Sequence, residues 1–132
     1  MFLMMLSDEE RVAFLKLAHH IARSDGDFSD KQKEIISTYC FEMQIDDIDY
    51  NVDEFNLDNC LDSFLSKKSK KIALLEIMAL VYSDEFIHQE EKKIIDIMKK
   101  KFGLSDATVD IYLEWTKTIL SVSKQGKLLL EI

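Results

Sequence analysis

The feature that most constrains the fold is a line of sequence that occurs twice. SDGDFSDKQKEII runs from Ser24 to Ile36, and SDEFIHQEEKKII runs from Ser83 to Ile95. The two align at a constant offset, and each lies between two stretches whose apolar residues have helical spacing. The sequence therefore predicts a duplicated helix–loop–helix unit, packed about a pseudo-twofold axis, with Phe28 and Ile87 in equivalent buried positions.

The scarcity of turn residues favours an all-helical domain. The chain of 132 residues has no proline and only three glycines. A β-rich domain needs more turn glycines than that. The length fits one domain, so we expect a single all-α bundle of about six helices over residues 1–132.

Two kinds of signal locate individual helices. Ser7 with Glu10, and Ser29 with Gln32, have the spacing of capping boxes that open helices. The stretch from Ile72 to Tyr82 is apolar apart from Glu76, which predicts the central helix of the bundle. Because cations oppose the dipole at a helix N-terminus, we expect this helix to begin after the lysines that precede it, which are Lys67, Lys68, Lys70 and Lys71.

Charge and composition exclude several classes of protein. The net charge of −8 argues against nucleic-acid binding, which requires a basic surface. The apolar start MFLMML lacks the basic region of a signal peptide and is too short to span a bilayer. Cys40 and Cys60 have no metal-ligand spacing and are expected to be free, mostly buried thiols. We therefore expect a cytoplasmic protein without membrane insertion.

Catalytic motifs are absent from the sequence. There is no HExxH, P-loop or GxGxxG sequence, and no Ser/His/Asp constellation. His19 and His20 are best explained by their place near the end of a helix, where cations suit the dipole. We therefore expect that the protein is not an enzyme.

An acidic connector follows the second predicted helix. From Glu42 to Asp62 the chain contains many acids and no Lys or Arg, with a short helix expected near Asn56. Such a run is typical of a solvated face, and a docking surface for a basic partner is the alternative.

The first of the repeated segments resembles a motif of the TerB-like family, the tellurite-resistance TerB proteins and their relatives. It has Asp25 and Gly26, then Phe28, then Ser29 at the start of a helix. The resemblance covers nearly the whole chain and includes the second segment. It implies a compact all-α fold without enzymatic activity, a role in metal-linked stress responses, and acidic motif residues that ligate a cation.

The chain differs from the family pattern at three positions. Gln32 stands where the family often has Glu, which removes a charged ligand. Glu85 replaces a Gly of the second motif, and His88 replaces a Ser at the second helix start.

The candidate cation ligands lie in both segments. An EF-hand is excluded, because its sixth and twelfth positions hold Asp30 and Ile36 rather than Gly and Glu. A looser oxygen site is expected mainly on Asp84 and Glu91, and an imidazole nitrogen would favour a transition metal. The predicted divalent-metal ligands are Asp25, Asp84, Glu85, His88 and Glu91, with Asp27, Glu34 and Glu90 nearby.

A structural role for the same residues remains open. Asp25 can bond the turn backbone, and His88 with Glu91 has the spacing of a helix cap. Two functional hypotheses follow. The first is a TerB-like divalent-cation module. The second is a metal-free interaction module with an unknown protein partner, or a homodimer, that uses the acidic connector or the apolar ends such as KLLLEI.

Overall fold

A computed structural model describes residues 1–132 and confirms an all-α fold without strands. A short 3₁₀ turn, Leu3–Met5, precedes the first helix, and another, Tyr82–Asp84, follows the fourth. The six α-helices are α1 Asp8–Ala22, α2 Asp30–Met43, α3 Leu57–Asp62, α4 Lys67–Val81, α5 Gln89–Phe102 and α6 Asp106–Leu129. No helix combines the length and apolar character needed to cross a lipid bilayer.

The predicted capping boxes open α1 and α2. Ser7 Oγ accepts the N–H of Glu10, whose carboxylate accepts the N–H of Ser7 in return. Ser29 and Gln32 repeat this reciprocal pair at the start of α2. Each pair satisfies backbone N–H groups that have no partner inside the helix. Local sequence therefore defines where both helices begin.

Helix α4 is the centre of the bundle, as its apolar composition predicts. Leu74, Ile77 and Leu80 are fully buried, and α4 contacts α1, α5 and α6. A helix surrounded on several sides by others must be apolar on most of its circumference. The two repeated segments flank this arrangement, since the first joins α1 to α2 and the second joins α4 to α5.

The expected start of α4 is wrong, because the helix begins at Lys67 and includes the lysines. Ser66 Oγ accepts the N–H of Ser69 at 2.9 Å, and Ser69 Oγ accepts the N–H of Ser66 at 3.1 Å. A cap of this kind stabilises a helix by about 1 kcal/mol. Lys67 and Lys68 are exposed, so water screens their repulsion from the helix dipole.

Glu76, the polar residue of the central stretch, is buried and anchors the start of the chain. Its Oε1 accepts the N–H of Phe2 at 2.8 Å and the amino group of Met1 at 3.0 Å. Leu3 and Leu6 are buried in the core beside these contacts. Leu3 and Leu6 therefore fix the apolar start of the chain to the bundle, while Met1, Met4 and Met5 remain exposed.

Both histidines of α1 hold the connector in place. His19 Nε2 lies 2.8 Å from Asp47 Oδ1, and His20 Nδ1 lies 2.7 Å from the Tyr50 hydroxyl. His20 also stacks on Phe55, with ring centroids 4.2 Å apart. These contacts give the histidines a structural role at the end of α1.

The two thiols are free, as expected. Cys60 is buried and Cys40 is half-buried. Burial raises the pKa of each thiol to about 11. Both thiols therefore stay protonated near neutral pH, a state that disfavours metal binding.

Candidate metal centre

The loops of the two repeated segments share a backbone conformation at matching positions. Gly26 and Glu85 both have positive φ, at 81° and 62°. Ser29 and His88, the N-cap residues of α2 and α5, have φ/ψ of −67°/156° and −70°/155°. The local turn is therefore the same in both places, while duplication of the whole unit stays a prediction.

Phe28 and Ile87 occupy corresponding places in these two loops. Each is half-buried and packs against the hydrophobic core. The sequence predicts that both side chains are buried, and the structure shows that they are only partly buried. Both side chains tie their loop to the bundle, which fixes the polar residues on either side of them.

The two helix starts meet through Gln32 and Glu91. Gln32 Nε2 donates a hydrogen bond to Glu91 Oε2 at 3.3 Å, across 59 residues of sequence. Gln32 is 2% exposed and Glu91 is 0% exposed, so the contact is buried. The N-terminal turns of α2 and α5 are therefore joined side chain to side chain.

A carboxylate from the first loop lies beside this contact. Asp25 Oδ2 lies 3.3 Å from His88 Nε2, and Asp25 Oδ1 accepts the N–H of Asp27 at 2.9 Å. Ligand atoms of Asp25, His88 and Glu91 all lie within 4.8 Å of one another. The structure thus brings together two carboxylates and an imidazole from opposite loops.

The Glu91 carboxyl is electrostatically unfavourable in its charged form. Burial raises the pKa of Glu91, and the charges of Asp25 and Asp84 raise it further. The hydrogen bond from the His88 N–H and the His88 side chain act in the opposite direction but do not outweigh burial. A positive charge placed at this carboxyl would reduce the electrostatic penalty.

The five predicted ligands do not all converge. Asp25, His88 and Glu91 form the cluster. Asp84 is exposed and is not part of the cluster, although its negative charge raises the pKa of Glu91. Glu85 faces elsewhere and forms an ion pair with Lys124 on α6. The cluster therefore takes two residues from the second segment, where the site is mainly expected, and one residue, Asp25, from the first.

The three acidic residues predicted to lie near the ligands, Asp27, Glu34 and Glu90, are outside the cluster. Asp27 and Glu34 are exposed, and Glu90 pairs with Lys93 at 2.9 Å. Gln32, which the sequence does not predict as a site residue, contacts the cluster through Glu91. The constant offset that aligns Gln32 with Glu91 is the sequence signal that relates these two residues, which the structure joins by a hydrogen bond.

The donor set fits a transition-metal ion better than calcium. Zinc binds His nitrogen and carboxylate oxygen at about 2.0–2.2 Å, which places ligand atoms roughly 3.4 Å apart. Calcium instead takes six to eight oxygen ligands. Asp25 and His88 are half-buried, so solvent reaches both of them beside the buried Glu91.

Comparison of the chain with protein-family models, curated proteins and solved structures finds no match.

Proposed function

We propose that the chain is a non-enzymatic, TerB-like module that binds one divalent transition-metal ion through Asp25, His88 and Glu91. The observation that carries the proposal is the meeting of two carboxylates and an imidazole, within 4.8 Å, around a fully buried Glu91. The resemblance of the repeated segments to TerB motifs points to the same chemistry.

Charge compensation supplies the driving force for binding. Glu91 is surrounded by the carboxylates of Asp25 and Asp84, and His88 is the basic side chain that acts on it. A divalent cation would offset this local negative charge. Because burial raises the pKa of Glu91 and a proton competes with the metal for its carboxylate, affinity should fall as the pH becomes acidic.

Binding would also join two parts of the fold. Asp25 belongs to the loop between α1 and α2, whereas His88 and Glu91 begin α5. An ion held by all three would link these elements and stabilise the folded state in proportion to its affinity. In this proposal the ion acts as a ligand-dependent clamp.

Calorimetric titration of the purified chain with Zn²⁺, Mn²⁺ and Ca²⁺ tests this proposal. Zn²⁺ should bind once per chain and more tightly than Ca²⁺. Glu91→Gln should abolish binding, since the amide carries no charge. Glu90→Gln is the matched control, because Glu90 is adjacent but exposed. Absence of binding by the wild type, or equal loss in both variants, would refute the proposal.

Homodimerisation through the end of α6 is the second candidate function. Leu128, Leu129, Leu130 and Ile132 are all more than half exposed, at 63%, 69%, 88% and 99%. A cluster of exposed apolar side chains is typical of an interaction surface. Sedimentation equilibrium of the wild type and of Leu129→Lys tests this function. A concentration-dependent dimer that the variant loses would support it, and a monomer at all concentrations would exclude it.

A further inference from the structure

Helix α6 extends past the bundle to which it belongs. It has 24 residues, which is about 36 Å at 1.5 Å per residue. Thr116 is its one buried residue, and every residue from Ser121 to Ile132 is exposed. The last turns of α6 are therefore left uncovered by the rest of the chain.

An uncharged apolar stripe runs along the outer face of α6. Ile111, Val122 and Leu129 are 65%, 57% and 69% exposed. Their spacings of eleven and seven residues are close to whole helical turns, so all three lie within about 20° of one line along the helix. Thr118 and Gln125 lie beside that line, and no charged residue lies within about 40° of it. A stripe of this kind is what one helix buries against another.

The charges of α6 are sorted by sign along its length. Its acids all lie in the first half, and its lysines all lie in the second half. The acids are Asp106, Asp110 and Glu114, and the lysines are Lys117, Lys124 and Lys127. A parallel pair of α6 helices would place like charges side by side, whereas an antiparallel pair places the acids of each helix beside the lysines of the other. The helix dipoles also favour the antiparallel direction.

The stripe sets the register of such a pair. When Ile111 of each copy faces Val122 of the other, Leu129 faces Leu104, which is half-buried just before the other α6. A twofold axis then relates the two helices, so each contact occurs twice.

The same register brings opposite charges together beside the stripe. Asp110 and Lys124 are fourteen residues apart and lie on the same side of α6. In an antiparallel pair that side of each helix faces the same side of the other, which brings Asp110 close to Lys124 of the second copy. Lys124 pairs with Glu85 in its own chain, and its ammonium group has further N–H donors for Asp110.

We propose that two copies of this chain associate through α6 as an antiparallel helix pair, with Ile111 of each copy opposite Val122 of the other. The uncovered last turns of each α6 then pack on the first turns of the other. This arrangement rests on homodimerisation, the second candidate function, and specifies the direction and register of its interface.

Disulfide cross-linking of the full chain tests the direction. Ile111→Cys and Val122→Cys, oxidised together, should give a covalent dimer that joins position 111 to position 122. Neither variant should cross-link alone, because equal positions are about 16 Å apart in this register, beyond the reach of a disulfide. Wild type, with Cys40 and Cys60 as its thiols, is the control and should stay uncross-linked.

Sedimentation equilibrium tests the stripe and the charges. Val122→Lys should weaken dimerisation by about tenfold or more. Ile97→Lys is the matched control, because Ile97 is 47% exposed but lies on α5, and it should leave dimerisation unchanged. Asp110→Lys should weaken dimerisation about threefold, and Asp110→Lys/Lys124→Glu should restore it, because the exchanged charges again face opposite charges.

The outcomes separate this arrangement from homodimerisation itself. A wild type that stays monomeric at all concentrations would overturn both. A dimer that Val122→Lys does not weaken would overturn the α6 stripe as its interface. Cross-linking of Ile111→Cys on its own would overturn the antiparallel direction and leave homodimerisation standing.

Discussion

Gln32 and Glu91 share a buried hydrogen bond of 3.3 Å while each caps its own helix. Gln32 Oε1 accepts the N–H of Ser29, and Glu91 Oε1 accepts the N–H of His88. The pair is compatible because a carboxylate has only acceptors, whereas an amide has one acceptor and one donor group. With two glutamines, two amide donors would face each other, and with two glutamates, two negative charges would face each other.

Glu91→Gln should change the free energy of unfolding by no more than about 1 kcal/mol in metal-free buffer. The amide keeps the cap on His88 and loses the hydrogen bond to Gln32, while removal of a buried charge offsets part of the loss. Glu91→Ala should cost about 1–2 kcal/mol more, because it also leaves the His88 N–H without its capping partner. Urea unfolding measures both. If both variants lose the same free energy of unfolding, the contact between residue 91 and the His88 N–H does not contribute to stability.

Gln32→Glu should make stability depend on pH. The second carboxylate would face Glu91 near Asp25, Asp84 and His88, and like charges raise carboxyl pKa values above the ordinary 4.5. A raised folded-state pKa means that stability is lost as pH rises from that ordinary value through the raised one. Unfolding at about pH 5 and about pH 8 should show the larger deficit at the higher pH. A deficit that is the same at both would argue against close contact of the two side chains.

Gly26 and Glu85 allow a test of the left-handed turn in each loop. Gly26→Ala should cost about 1–2 kcal/mol from backbone conformation alone, since no atom lies within 4 Å of the added Cβ. At position 85, Glu85→Gly should be more stable than Glu85→Ala by about 1 kcal/mol. Both variants lose the ion pair with Lys124, so the difference in stability between them reports only the cost of the left-handed backbone conformation. Thermal melts in which Ala equals Gly at position 85 would contradict the left-handed assignment.

Leu80→Ala should reduce the free energy of unfolding by about 2–5 kcal/mol, because Leu80 is fully buried in the central helix and the substitution leaves a cavity. Leu65→Ala is the control, since Leu65 is 80% exposed. Chemical denaturation gives both values. A cost below about 1 kcal/mol for Leu80→Ala would place α4 at the periphery.

Much of the fold was predictable because its signals are local. The reciprocal bonds of Ser7 with Glu10 need only a spacing of three residues, and the burial of α4 follows from its composition. The start of α4 was not predictable from the usual cap pattern, because Ser69 is an unusual partner for the N-cap Ser66 and lysines in the first turn oppose the helix dipole. Glu76 shows a further limit, since its partners Met1 and Phe2 lie far away in sequence.

The candidate site was only half predictable for the same reason. Asp25, His88 and Glu91 could be selected as ligands by residue type, but their convergence depends on how two loops pack. The spacing from His88 marks Glu91 as a capping residue, but nothing local indicates that Glu91 is buried against Gln32 or that Glu85 turns toward Lys124. The difference arises from helical position, because Glu91 lies in the first turn of α5 and Glu85 lies in the loop before it.

Zn²⁺ titration of Asp25→Asn tests the central claim most directly, because Asp25 comes from the loop opposite His88 and Glu91. The amide oxygen can still accept the N–H of Asp27, so the turn should survive, while the charged ligand is lost. We predict that Zn²⁺ affinity falls by about tenfold or more, with Asp27→Asn as the unaffected control. Unchanged affinity in Asp25→Asn would contradict a metal centre shared by the two loops.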